Sequence, residues 1–216
     1  MQPKTLRLLV LTVLGWAALA PQARANLVLD LNTGGTAEVC GVLCGTNGTT
    51  LGWSFQLLSP ITVNGIGIWD ASSAPLGTLI DAGLWTSTGT ILAAAVISDG
   101  STPVASASAN GRWLFQKFPA VTLNPGTYLI GNVFYPTVPL GQANAPFTTI
   151  PQVLSSSVVG AEGTLNGALT APLNPFVRPI FGPTLETAAV PEPGLAGVLG
   201  LGLTAVFFRL KKRRAQ

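Results

Sequence analysis

Chemistry near neutral pH draws most often on histidine, and this 216-residue chain has none. That excludes His-based triads, His-ligated metal sites and imidazole acid–base catalysis. The two cysteines, Cys40 and Cys44, form a C-x3-C pair. Without histidine they supply at most half of a tetrahedral zinc site. In an exported chain this spacing favours a short-loop disulfide over free thiols. So small a loop adds about 2 kcal/mol, less any strain. A glycosidase needs two carboxylates flanking a cleft. The acids here are sparse and none forms a close pair. Asp70, at the end of Ile68-Trp69, and Asp81, inside an alternating run, are the two in the best-patterned region. Each is more simply a solvated or turn-capping residue. Serine hydrolysis lacks both its base and a Gly-x-Ser-x-Gly elbow. No phosphate loop, dinucleotide fingerprint or EF-hand calcium loop is present. The expectation is a protein that is not an enzyme, with no catalytic residue, cofactor or metal.

Binding is the other chemistry to weigh. Trp53, Trp69, Trp85 and Trp113 lie in the middle of the chain. Aromatic side chains on a sheet face can stack on sugar rings, or they can fill a core. Trp53 shares its parity with Phe55 and Leu57 and is expected to face inward. Trp85 has the opposite parity to Ile80, Ala82 and Leu84 and is expected to face outward, where it could meet polysaccharide. Nucleic acid is not an expected partner. Eight of the eleven Lys and Arg residues lie near the ends, and between Asn26 and Val190 only Arg112, Lys117 and Arg178 are basic. Seven acids occupy the same span, Asp30, Glu38, Asp70, Asp81, Asp99, Glu162 and Glu186, so three against seven leaves −4. No basic stripe is there to meet phosphates.

The elements that must position these residues are strands. Period-2 runs bounded by Gly, Pro, Asn and Ser recur at Trp53–Leu57, Ile80–Leu84, Trp113–Gln116 and Tyr128–Phe134. Asn132 interrupts the apolar face of the last. Ile91–Ile97 is apolar on both faces and reads as a central strand. The apolar parity flips between Ile61, Val63 and Ile66, Ile68. Asn64-Gly65 could close a hairpin or carry a bulge in one strand, and the short arms favour the bulge. Thr86-Ser87-Thr88-Gly89 suggests a hairpin. After Pro136 the pattern fades, and Pro172, Pro175, Pro179 and Pro183 suggest loop, at most an edge strand, then linker. The expected architecture is all-β: an antiparallel β-sandwich, jelly-roll-like, of about eight to ten strands over residues 26–185.

Both ends read as export signals. Lys4 and Arg7 precede an apolar run of 13 residues, Leu8 to Ala20, too short to span a bilayer comfortably. Ala23-Arg24-Ala25 then offers the small-x-small pattern of a signal peptidase site, with cleavage before Asn26. Residues 1–25 are therefore expected to be a signal peptide. At the other end, a linker of residues 186–193 holds Pro191-Glu192-Pro193. An apolar segment, 194–210, comes next as a membrane helix, and 211–216 form a basic cytoplasmic tail. The basic residues Arg209, Lys211, Lys212, Arg213 and Arg214 hold that end inside by the positive-inside rule.

Pro-Glu-Pro, a short apolar helix and a terminal basic cluster, in that order, resemble the PEP-CTERM sorting tail of Gram-negative bacteria. The resemblance covers about the last 27 residues. It implies processing near Pro191-Glu192-Pro193 by a membrane-embedded exosortase, after a transient single-pass state in the inner membrane. The domain then reaches the cell surface or extracellular matrix. A plain single-pass anchor is the alternative. Leu84-Trp85-Thr86-Ser87-Thr88-Gly89-Thr90-Ile91-Leu92-Ala93, followed by Trp113–Phe118 and Pro125-Gly126-Thr127-Tyr128, is similar to a bacterial exported domain of unknown function. That similarity covers roughly Leu51 to Tyr135 and implies a β-sandwich surface module without an assigned activity. The function expected from the sequence is structural or adhesive. A carbohydrate-binding module is the alternative, and an exported glycoside hydrolase a distant one.

Overall fold

Short alternating runs cut by Gly and Pro cannot sustain helices, because both residues interrupt the helical ladder. In the computed structural model the chain accordingly forms strands. The structure describes residues 27–38, 44, 47–71, 75–135, 140–142, 146–155, 159–163, 167–175 and 182–188. These contain fourteen strands and no α-helix. In chain order they are β1 (Leu29–Leu31), β2 (Thr36–Glu38), β3 (Thr49–Leu57), β4 (Ile61–Asp70), β5 (Ile80–Thr86), β6 (Ile91–Ile97) and β7 (Thr102–Ala105). The remainder are β8 (Arg112–Leu123), β9 (Gly126–Phe134), β10 (Leu140–Gln142), β11 (Phe147–Thr149), β12 (Val159–Glu162), β13 (Asn174–Pro175) and β14 (Thr184–Thr187).

A six-stranded sheet has the order β13-β12-β3-β9-β5-β6, and a four-stranded sheet the order β14-β4-β8-β7. Two short ladders, β1-β11 and β10-β2, complete the set, and every pairing is antiparallel. The fold is all-β and sandwich-like. Residues directly opposite in an antiparallel pair share a face. In the six-stranded sheet one apolar row runs Trp53–Ile130–Leu84 and its neighbour Leu51–Asn132–Ala82. Ile66, Ile68, Leu114 and Leu185 line one face of the four-stranded sheet. All of these apolar residues join one buried cluster.

Trp53 faces inward as its parity requires; it is fully buried, its ring lies 4.9 Å from Phe55, and its Nε1 donates to the Pro183 carbonyl at 2.7 Å. The parity flip at Asn64 is a bulge: β4 is one strand, and against β14 Asn64 is the extra residue between Val63 and Gly65. Opposite β8 the same step spans Lys117 to Val121, where Pro119 cannot donate to a ladder. The flip lets Ile61, Val63, Ile66 and Ile68 all reach the core. The hairpin at Thr86–Gly89 joins β5 to β6, with Gly89 at φ 88°.

Four expectations need correction. Ile91–Ile97 is not a central strand. It is β6, the outermost strand of its sheet, and Ile91 and Val96 are exposed. Its inward residues Leu92, Ala93, Ala95 and Ile97 pack on or in the core, while its outward residues Ile91, Ala94 and Val96 are apolar yet exposed. Second, the region after Pro136 holds more than the one edge strand expected there, although β13 and β14 are both edge strands. It supplies β10 to β14, whose partners lie far away in sequence. Third, the sheet passes the expected boundary at 185. Glu186 and Thr187 belong to β14, and the Ala188 amide donates to Thr62. Fourth, the strands exceed eight to ten because the short ladders were invisible to a local pattern.

Candidate functional site

Asp70 closes β4 directly opposite Arg112 on β8. Its Oδ2 accepts from the Arg112 Nε at 3.0 Å, and its side chain is 3% exposed against 45% for Arg112. Asp81 lies in the other sheet, on β5, partly exposed and opposite Val96. Ile80 and Ala82 point inward, so Asp81 points away from the shared core. The two carboxylates therefore do not flank a common cleft, which is the arrangement sugar hydrolysis needs. Glu186 pairs with Lys117 at 2.5 Å, and Asp99 accepts from the Leu76 amide. Among the described residues no group of three or more His, Cys, Asp or Glu could hold a metal ion.

The four tryptophans are all buried: Trp53 and Trp113 are 0% exposed, Trp69 1% and Trp85 3%. None offers a sugar platform. Trp85 does lie on the far side of its sheet, as its parity predicts, yet it is covered there. The cause is a row of glycines. Gly52, Gly131 and Gly83 are direct neighbours across β3, β9 and β5. A Cβ on Gly83 would lie 2.6 Å from the Trp85 indole, and one on Gly52 only 1.8 Å from the Ile130 carbonyl oxygen. The bare row admits the indole flat against the sheet, and the segment 167–173 then crosses above it. Leu169 and Pro172 reach Gly83 and Gly131. Hydrogen bonds from the Gly167 amide to Gly48 and from the Thr170 amide to Thr50 Oγ1 fasten the segment.

One highly connected polar group is one that sequence patterns missed. Asp30 on β1 accepts from Trp113 Nε1 at 2.9 Å and from the Ala107 amide at 2.9 Å. It also accepts from Ser106 Oγ and from the Leu31 amide. Trp113 meets Trp69 edge-on at 5.2 Å, and Gly35 lies against the Trp69 indole. A carboxylate that accepts this many donors is fixed in place. It fastens the N-terminal segment over the four-stranded sheet. The available signal was a lone acid between two leucines, Leu29-Asp30-Leu31, but its donors other than Leu31 lie more than 70 residues on.

Cys44 is fully buried and disulfide-bonded. Cys40, the chain's other cysteine, lies outside the described residues. So do the expected signal segment with Ala23, Ala25 and Asn26, the motif Pro191-Glu192-Pro193 and the basic residues Arg209 to Arg214. Among the described residues no helix is long and apolar enough to cross a membrane. Comparison with protein-family models, curated proteins and solved structures finds no match to this chain.

Proposed function

We propose that this chain is an exported, exosortase-sorted protein of the Gram-negative cell surface or extracellular matrix, with a structural or adhesive β-sandwich that performs no catalysis. The observation that supports it most is a pairing close to both expected processing sites. Leu27 forms an antiparallel bridge with Glu186, and the Val28 amide donates to Leu185. The first residue after Asn26 thus pairs with the strand that ends just before Pro191-Glu192-Pro193. Both expected cuts fall outside these paired residues, so neither cut separates them.

The non-catalytic part rests on separated or ion-paired carboxylates and buried aromatic rings. The sheet order supports a jelly-roll assignment. β3, β4 and β5 alternate between the two large sheets, β6, β8, β9 and β14 return in the same alternation, and Leu27 begins the outermost turn. Signal peptidase and exosortase are the proposed processing partners. The test is mass spectrometry of the protein from wild-type cells and from cells lacking exosortase. The released wild-type form should start at Asn26 and lack residues 194–216. The mutant should retain a longer, membrane-bound form. Released protein that still carries Arg213 and Arg214 would refute the sorting reading.

A further inference from the structure

The two ends of the sandwich differ in charge. Three tight turns form one end: residues 58–60 between β3 and β4, 124–125 between β8 and β9, and 87–90 between β5 and β6. They lie together because Leu57 pairs with Gly126, Ile61 with Leu123 and Thr86 with Tyr128. None of these turns holds a charged residue. Asp70, Arg112, Asp81 and Asp99 all sit at or near the opposite strand ends. The uncharged end also carries apolar side chains. Leu58 is 55% and Leu154 37% exposed. Their segments are bonded to each other, the Leu58 amide to Gln152 and the Leu154 amide to Gln56.

What covers these leucines follows from where the chain leaves the sheet. The Ala188 amide donates to the Thr62 carbonyl, beside the β3–β4 turn. Gly194, where the expected membrane segment begins, is six residues further on. At most about 22 Å therefore separates the two Cα atoms. We infer that this end of the domain docks on the lipid surface while the chain is anchored, with Leu58 and Leu154 entering the boundary between headgroups and acyl chains. It rests on 194–210 being a membrane segment. So short a tether keeps the end near the bilayer before any contact forms, which raises its effective concentration there. Uncharged turns and leucines enter that boundary readily, whereas the carboxylates of the other end would lose hydration without gaining a partner. Docking keeps Pro191-Glu192-Pro193 at the membrane surface, where a membrane-embedded exosortase would cut. Two leucines alone bind a bilayer only marginally, so the domain leaves once the segment is removed.

Labels at two exposed leucines test it. Leu58→Cys and Leu79→Cys each receive an environment-sensitive fluorophore in the full chain, without reductant because Cys44 is disulfide-bonded. Leu79 is 60% exposed and precedes β5, at the far end. The chains are reconstituted into vesicles of phosphatidylethanolamine and phosphatidylglycerol that carry a quencher on the acyl chain near the headgroup. The label at 58 should shift to shorter wavelength and be quenched, and the label at 79 should do neither. Leu154→Cys or Gly100→Cys stands in for a variant whose tryptophan emission differs from wild type. An alkaline carbonate wash reports the anchor separately. A chain that resists the wash, with the label at 58 quenched no more than that at 79, overturns the docking and leaves the anchor standing. A chain washed off the vesicles overturns both.

Discussion

The Trp113 indole donates its Nε1 hydrogen to Asp30 Oδ1 at 2.9 Å, tying the first strand to the middle of the four-stranded sheet across 83 residues of sequence. Trp113 is 0% exposed, so water cannot replace this acceptor if it is lost. Asp30→Ala should therefore cost about 3 kcal/mol, through an unsatisfied buried donor and the loss of charge-assisted bonds. Asp30→Asn should cost about 2 kcal/mol, because its amide nitrogen would face another donor, the Ala107 N–H. Ser106→Ala removes one hydroxyl and should cost about 1 kcal/mol. Urea unfolding with an unchanged m-value checks the order. Equal effects for all three would mean that Asp30 does not carry the contact.

The glycine row makes a sharper prediction. Gly52→Ala places a Cβ 1.8 Å from the Ile130 carbonyl oxygen. That oxygen is backbone in the adjacent strand and cannot turn aside, so the change should cost about 3 kcal/mol or more. Gly100→Ala is the control, since its nearest neighbour would be Ser98 Oγ at 3.7 Å, and it should lie within about 0.5 kcal/mol of wild type. Thermal melts of both variants decide it. A Gly52→Ala melt matching wild type would mean that β3 and β9 are not so close.

What could be read from the residues divides along a physical line. Parity reports which side of a strand is wet, and it placed Trp53 inward and Trp85 on the far face correctly and located a bulge at the Asn64-Gly65 pair, where Asn64 is the extra residue. Parity says nothing of what lies beside a strand, so β6 looked central although it is an edge. Nor does it reveal a strap laid over the far face, and Trp85 looked exposed although residues 167–173 cover it. Thr-Leu-Glu-Thr of β14 has one apolar residue, and its identity as a strand comes wholly from pairing with β4. Asp30 was overlooked for the same reason: Ser106, Ala107 and Trp113 are remote in sequence, and two of its donors are backbone amides, which leave no mark on side-chain chemistry. The acids that did attract attention, Asp70 and Asp81, stand in different sheets.

Buried indoles give an optical prediction. Trp16 lies in the segment expected to be removed, so the processed form would hold only Trp53, Trp69, Trp85 and Trp113. All four are at most 3% exposed. Emission should be blue-shifted and resistant to iodide, and both properties should disappear in urea. Soluble polysaccharides should leave the emission unchanged. A saturable shift on adding one would show that a tryptophan is reachable, and would restore the carbohydrate-binding alternative.

The last prediction concerns where the chain can be cut. Ending it after Ala188 leaves β14 whole and keeps the last backbone bond among the described residues, from the Ala188 amide to Thr62. Stability should equal that of the longer form, which is also what processing near Pro191-Glu192-Pro193 requires. Ending the chain after Pro183 removes Thr184, whose hydroxyl both accepts from the Leu29 amide and donates to the Leu29 carbonyl. It also removes Leu185, fully buried, and the Lys117–Glu186 pair. Deleting a buried leucine side chain alone costs about 2–5 kcal/mol. With four ladder residues and the cover over β4 gone as well, the loss should consume most of a typical margin of about 5–15 kcal/mol. The shorter chain should show no cooperative unfolding transition. If it melts cooperatively near the temperature of the longer chain, β14 is an appendage, and the pairing close to both expected processing sites no longer supports the proposed function.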